Sequence, residues 1–326
     1  MKKVIIFGGE GYIGKVVKRY LIKKKYKVTS FDNLIYEKKL KKKKIKNFIY
    51  GDICNTKKIT SIISNYNYVV ILSGLVGDPI TKKYPILSKK INYNATKRLI
   101  SICARKNLEK VIFVSTCSNY GIANKSTKIN EKAPLKPLSL YAKNKVGIEK
   151  YILSLKKKTK SIFCILRFAT AFGISPRMRF DLTINEFVYT LFTKKKLKLY
   201  DVDTFRPYCH VGDFARLINV VLKAKKNKIN FQIFNAGSTK NNYSKMTIFE
   251  LIRNKIKNSK YIVLKESKDR RDYNVSFEKV KKVLNFKTRY SVDDGIKEII
   301  KFLKKNKKLK VNKLGNYKVN YNVESS

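Results

Sequence analysis

The sequence predicts an α/β fold: a doubly wound parallel sheet with a smaller C-terminal lobe. Three observations predict it. Short β-branched runs alternate with helical periodicity through the first half, a glycine-rich turn joins the first such pair, and the rhythm becomes irregular after about Gly173. Alternating strand and helix signals argue for a sheet covered on both faces. Parallel neighbours need crossover connections, and the helices supply them.

Taken in order, Lys3 to Phe7 is strand-like, and Ile13, Val16, Val17, Tyr20 and Leu21 then fall on one helical face. The strand signal returns at Val28 to Phe31, Asn47 to Tyr50, Val69 to Leu72 and Val111 to Val114, with a helical stretch from about Ile86 to Lys106 between the last two. In the second half, Thr247 to Glu250 can form a capping box before Phe249, Ile252 and Ile256. Ser291 to Asp294 can do the same before Ile296, Ile299, Ile300 and Leu303. The expected division is a nucleotide-binding unit over 1–172 with a return at about 207–236, a second lobe over 173–206 and 237–305, and a Lys- and Asn-rich tail over 306–326, loose or draped on the surface.

Composition narrows the function. Of 326 residues 44% are hydrophobic, enough for a sizeable core, so a disordered chain is excluded. Lys plus Arg total 75 against 22 acids, a net charge of +53. Such an excess suggests a polyanion partner. However, 63 of these cations are Lys and 12 are Arg, and Lys, Asn, Ile and Tyr are abundant together, the usage of an A/T-rich coding genome. Runs such as Lys38 to Lys44 and Lys156 to Lys158 read as solvated faces, so no nucleic-acid partner is expected. The single His210 and the scattered Cys54, Cys103, Cys117, Cys164 and Cys209 offer no metal-knuckle or redox-dithiol spacing, so no metal is expected. Scattered thiols indicate a reducing compartment, the cytoplasm. The longest apolar stretch, around Tyr68 to Gly77, falls well short of the ~20 residues of a membrane span.

The segment Phe7-Gly8-Gly9-Glu10-Gly11-Tyr12-Ile13-Gly14 lies between the first strand and the first helix. Small residues there let the backbone turn sharply, approach a pyrophosphate and pack the helix against the sheet, while the helix N-terminus offers free N–H groups to phosphate. Asp32 follows Gly14 by 18 residues, at the end of the second strand. That is the place of a carboxylate binding the adenosine ribose hydroxyls, and a carboxylate there repels a 2′-phosphate. The pattern predicts a dinucleotide site for NAD rather than NADP.

Tyr141 and Lys145 stand four residues apart, on one face of a helix. Val114 to Gly121 leaves the fifth strand, and ligands bind at the strand C-termini of a doubly wound sheet. With these go Phe31-Asp32-Asn33-Leu34, Gly51-Asp52-Ile53, Asn92-Tyr-Asn-Ala-Thr96, Arg206-Pro-Tyr-Cys-His-Val-Gly-Asp213 and Asn235-Ala-Gly237. In this order, from about residue 3 to 300, the chain resembles the extended short-chain dehydrogenase/reductases, in their nucleotide-sugar epimerase and dehydratase branch, with a Rossmann domain over 1–172.

The resemblance implies Thr116, Tyr141 and Lys145 as the catalytic set. It implies Gly8, Gly11, Tyr12, Ile13, Gly14, Asp32, Asn33, Asp52, Ile53, Leu72, Asn92, Tyr141 and Lys145 around NAD. A phenol with an ordinary pKa near ~10 is a poor base unless a cation stabilises phenolate. Lys145 and the positive nicotinamide are expected to act in that direction. Tyr141 then takes the proton of a sugar hydroxyl as hydride leaves the same carbon, and Thr116 holds that hydroxyl.

In place of the Asp-Glu pair that 4,6-dehydratases of this branch carry after the catalytic Thr, the sequence has Cys117 and Ser118. The Glu of UDP-glucuronate decarboxylases is also missing, and His210 reads as structural. The expectation is therefore 4-epimerisation of a nucleotide-diphosphate sugar, with C4 oxidation or reduction as the alternative and dehydration behind it. A non-catalytic NAD sensor on the same fold is the reading from a different class. Gly173 to Asp181 and Val76-Gly77-Asp78-Pro79 resemble segments of bacterial surface-polysaccharide enzymes, including dehydrogenases of GDP-linked heptoses. For the substrate the resemblance implies Thr116, Tyr141, Arg177, Arg179, Asn185, Arg206 and Arg271, the guanidinium groups meeting the diphosphate. A homodimer through the stretches near 86–106 and 138–157 is expected.

Overall fold

The computed structural model describes residues 1–36, 45–123, 128–264, 271–307 and 314–321. Its strands are β1 (Lys3–Phe7), β2 (Lys27–Asp32), β3 (Phe48–Tyr50), β4 (Tyr68–Ile71), β5 (Lys110–Thr116), β6 (Phe163–Phe168), β7 (Thr170–Phe172), β8 (Lys196–Leu199), β9 (Phe205–His210), β10 (Gln232–Ala236), β11 (Asn242–Ser244) and β12 (Lys260–Val263). Seven of them form one parallel sheet in the order β10-β6-β5-β4-β1-β2-β3. The order reverses between β1 and β4, which opens a crevice at the C-terminal ends of these two strands.

Side-chain alternation sorts the apolar residues of each strand between two cores. Val4, Ile6, Val70, Ile112 and Leu166 face one core, with Phe214, Leu217 and Ile218 of the helix Val211–Lys223. Ile5, Phe7, Val69, Ile71, Phe113 and Ile165 face the other, with Leu99, Cys103 and Ile148. Both faces are buried, so the strands read as continuous apolar runs rather than as alternating ones. A third core, around Phe172, Phe180, Ile184, Phe249 and Ile296, belongs to the C-terminal lobe. There β11-β9-β7 form a small sheet and β12 pairs with β8.

Three expectations shift. The return to the large sheet is made by the helix Val211–Lys223 and by β10, whereas 207–210 lie in β9 of the small sheet. The helix carrying Phe249 and Ile252 is Lys245–Arg253, and its cap is Ser244, whose Oγ accepts from Thr247 N at 3.1 Å; Thr247 lies inside the helix. The Ser291 box is present as read, at the start of the helix Val292–Lys305. The tail is also not loose where it is described. Phe180 N donates to Leu314 O, Asn320 N donates to Ile35 O, and Val319 is buried in a core of the large sheet. The Lys38 to Lys44 run lies outside the described residues. Among the described residues no helix is long and apolar enough to cross a membrane, and no cluster of His, Cys, Asp and Glu could hold a metal ion.

Candidate active site

The crevice is lined by the segments that leave β1, β2, β4, β5 and β6: Gly8 to Gly14, Phe31 to Tyr36, Leu72 to Asp78, Val114 to Thr116 and Phe168 to Ala171. Tyr141, Lys145, Arg177, Arg179, Arg271 and Asn316 complete it from the helical side and the lobe. The glycine loop has the form a dinucleotide requires. Gly8 holds φ +81°, and a Cβ there would press into the Leu72–Ser73 backbone. At Gly14 a Cβ would strike the Gly8 carbonyl, so helix and strand could not pack as they do. The helix Tyr12–Lys23 has Gly11 at its N-cap and no side-chain cap, which leaves its first N–H groups for an anion.

Asp32 is fixed at the edge of the crevice, its Oδ1 accepting from Leu34 N (2.8 Å) and its Oδ2 from Glu10 N (3.0 Å). Burial raises its pKa, and these two N–H donors and Arg177 oppose the rise. Asp52 accepts from Asn33 Nδ2 at 2.8 Å and from Cys54 N at 2.7 Å, next to the buried Ile53. Glu10, which the sequence reading passed over, anchors the loop from behind through Lys18 Nζ (2.8 Å) and the Ser30 hydroxyl. The residues present therefore fit NAD: a glycine cradle for its pyrophosphate and a fixed carboxylate where a ribose would lie.

Tyr141 and Lys145 sit in the first turns of the helix Leu140–Ser154, started by Ser139, whose Oγ accepts from Ala142 N. Lys145 is 5% exposed; its Nζ donates to Val114 O (2.7 Å) and lies 5.8 Å from the centre of the Tyr141 ring. Burial lowers the Lys145 pKa to about 8, partly opposed by Glu149. The Tyr141 phenol is raised well above its ordinary value, first by burial and then by the Asp78 carboxylate, while Arg179 and Arg271 pull it down. Arg179 and Arg271 thus act on the phenol as cations that the sequence did not place beside it. Thr116 faces the same crevice, and its Oγ1 accepts from Ser118 N at 3.1 Å.

Behind Thr116 lies a buried polar network. Glu149 accepts from Arg167 Nη2 (2.7 Å), Asn119 Nδ2 (2.8 Å) and the Ser115 hydroxyl, and Arg167 Nη1 donates to the Tyr120 hydroxyl (2.9 Å). Burial alone would disfavour the Arg167 cation; its hydrogen bonds to Glu149 outweigh that and keep it charged. Cys117 is buried against Arg167 O, so the two residues after Thr116 bring no carboxylate.

Among the arginines, Arg177 donates to Asn316 Oδ1 (2.9 Å) and stacks over Tyr36 at 4.8 Å. Arg179 makes a two-point pair with Asp181 (2.6 and 3.1 Å). Burial would raise Asp181, but Arg179 holds it below the usual carboxylate range. Arg271 Nη2 meets Asp78 Oδ2 at 2.8 Å, and its Nη1 donates to the Ser118 hydroxyl at 2.9 Å.

Three expected contact residues do not line the crevice, which corrects their direct role. Arg206 donates to Phe205 O and Arg271 O and stacks over Tyr273, so it holds Arg271 rather than facing the crevice. Asn92 accepts from Leu75 N (2.7 Å) and donates to Leu75 O (2.9 Å), pinning the crevice wall from the π-helical turn Lys89–Ala95. Asn185 links Gly173 N, Arg179 O and the Tyr12 hydroxyl, which ties the glycine loop to the lobe. His210 Nδ1 accepts from Gly212 N, and its Nε2 lies 2.8 Å from Glu298 Oε2. Sequence reading missed Tyr36, Asp78 and Asn316. Asp78 stood inside a quoted motif, whereas no local signal marks Tyr36 or Asn316.

The family model described as the NAD dependent epimerase/dehydratase family matches residues 4–237. A UDP-glucuronate 4-epimerase of Thermodesulfobacterium geofontis is 27% identical over 320 residues, 93% of this chain and 96% of the relative. The solved UDP-glucuronic acid 4-epimerase of Bacillus cereus, in complex with UDP-glucuronic acid and NAD, has the same fold at TM-score 0.81 and 23% identity, over 93% of this chain and 99% of the other. The Thermus thermophilus UDP-glucose 4-epimerase complex with NAD matches at TM-score 0.80 and 19% identity, with the same coverage.

Proposed function

The chain belongs to the NAD-dependent epimerase/dehydratase family, and from that premise we propose that it is a nucleotide-sugar 4-epimerase working by hydride transfer at sugar C4. One observation carries the reading: Thr116, Tyr141 and Lys145 line the same crevice as the glycine loop and Asp32, at the switch point of the parallel sheet. Bound NAD would supply the hydride acceptor. Tyr141 would take the C4 hydroxyl proton as hydride leaves C4, and would return it to that oxygen when hydride comes back to the opposite face of the C4 ketone. Arg179, Arg271 and the Lys145 ammonium make the phenolate less costly, and Thr116 orients the hydroxyl. Arg177, Arg179 and Arg271 bring guanidinium groups to the nucleotide-sugar side for the diphosphate.

The absence of a carboxylate at Cys117 and Ser118 places 4,6-dehydration last. A C4 dehydrogenase or reductase stays as the second reading, since it needs the same residues. Incubation with NAD and UDP- or GDP-sugars separates them. The epimerase gives a C4 epimer without net NADH; a keto-sugar with accumulating NADH establishes the second reading. Turnover of no nucleotide sugar, with NAD still bound, points to a sensor.

A homodimer through the stretches 86–106 and 138–157, a cytoplasmic site and a role in surface-polysaccharide synthesis complete the proposal. Exposed Ile86, Leu138 and Leu153 on those stretches support the dimer, which sedimentation tests by its mass. The unpaired thiols support a reducing compartment.

A further inference from the structure

The tail segment 314–321 is fastened at its two ends to different parts of the molecule. At its start Leu314 O accepts from Phe180 N (2.8 Å), and the Leu314 side chain packs on the core of the C-terminal lobe. At its end Asn320 N donates to Ile35 O (2.8 Å). Val319 and Tyr321 pack there on the core of the large sheet that holds Ile5 and Phe7. The Tyr321 hydroxyl reaches Cys54 Sγ at 3.9 Å, and Lys90 Nζ lies 5.7 Å from the centre of its ring. Asn316 and Val319 are buried while Tyr317 and Lys318 are exposed, so the segment has an inner and an outer side.

Between these anchors the tail meets the crevice. Asn316 lines it: its Oδ1 accepts from Arg177 Nη2 of the lobe (2.9 Å), and its Nδ2 donates to Val76 O (3.1 Å) in the segment after β4. One side chain thus joins both sides of the crevice. Ile35, held by the tail at its carbonyl, lines the crevice in the segment that carries Asp32. Asp52 also lines it, and its Oδ1 accepts from the N–H of Cys54, the residue that Tyr321 reaches. The tail therefore ties the lobe to the segments after β2, β3 and β4, on the side of the crevice where Asp32 stands for the ribose. Ordering such a tail costs backbone entropy, so each fastening contact that is lost lets it open more often.

We propose that the segment 314–321 is a strap that holds bound NAD and slows its release, with Asn316, Val319 and Asn320 as the residues that fasten it. A ligand beneath a closed segment leaves when that segment opens, so its residence time follows the opening equilibrium. The strap acts on the dinucleotide, and its role goes beyond the 4-epimerase reading because it holds for whichever nucleotide-sugar reaction the crevice performs.

The test is the rate at which the full-length holoprotein releases NAD, read by chasing bound radiolabelled NAD with an excess of unlabelled NAD. Asn320→Pro removes the N–H that Ile35 O accepts, and Asn316→Ala removes the link between Arg177 and Val76. Each raises the release rate by at least about fivefold, the loss expected of one hydrogen bond. Lys318→Ala, on the outer side of the same segment, leaves the rate within about twofold of the wild type. Release rates within about twofold of the wild type in both fastening variants, folded by their melts, overturn the proposal, as does an equal rise in Lys318→Ala. Hydrogen exchange of the wild-type protein gives a reading that needs no variant. If the strap holds NAD, NAD in turn holds the strap, so the Asn320 amide exchanges more slowly in the loaded protein than in the empty one. Equal exchange in the two states overturns the proposal. None of these readings needs turnover, so they stand apart from the assay for epimerisation.

Discussion

Tyr141 must give up a proton in a pocket that favours keeping it: burial and the Asp78 carboxylate raise its phenol, and two guanidinium groups only partly offset them. In the proposed reaction its phenolate oxygen is the proton acceptor, so Tyr141→Phe retains NAD binding and lowers turnover by about 10²–10⁴-fold, as read by a coupled assay. Unchanged turnover contradicts that role. Lys145 gives a stability test with a defined sign. Burial brings its pKa to about 8 from an ordinary 10.5, so between these values the unfolded chain binds more protons and stability rises with pH. Below pH 8 the buried ammonium costs on the order of 3 kcal/mol. Lys145→Met is therefore expected to lose turnover, to melt higher than the wild type at pH 7, and to lack the rise in stability between pH 8 and 10.5. Thermal melts across that range check it. The residue types at both positions were legible from their four-residue spacing and the strand before them. Their charge environment was not, because Arg179, Arg271 and Asp78 reach the phenol from three separate segments.

Elements were legible where the signal is local. The glycine loop, the helix after it and the Ser291 capping box all follow from contacts within one or two turns. Capping failed at Thr247 because Ser244 three residues earlier is an equally good cap, and pattern alone does not choose between them. The stretch 86–106 reads as one helix, yet Lys89–Ala95 is a π-helical turn. There Asn92 bonds both backbone groups of Leu75, a partner 17 residues away in sequence. Asn92→Ala leaves that buried N–H without its acceptor, costing about 1–3 kcal/mol. Its melting temperature falls by several degrees, and NAD binding weakens as the Leu72–Leu75 wall loosens. Denaturation and cofactor titration read the two effects separately; an unchanged melt contradicts the pinning role.

At the scale of the molecule, the fold class and the parallel sense of the sheet followed from alternation. What escaped the sequence were contacts between distant segments: Arg206 holding Arg271 rather than facing the crevice, and the tail binding at Ile35 and Phe180 with Asn316 at the crevice wall. A polar, lysine-rich tail carries no periodicity that would announce such docking. The net charge of +53 makes the folded chain self-repelling, and salt screens it. Raising NaCl from about 50 to about 500 mM should therefore raise the melting temperature, and a fall would contradict this. The central claim is that the C–H bond at C4 of a nucleotide sugar is broken and remade as hydride in the crevice beside Tyr141. Mass spectrometry of the product from a nucleotide sugar deuterated at C4 tests it most directly. The account predicts an epimer that keeps its deuterium at C4; an epimer whose C4 label has exchanged with solvent would contradict it.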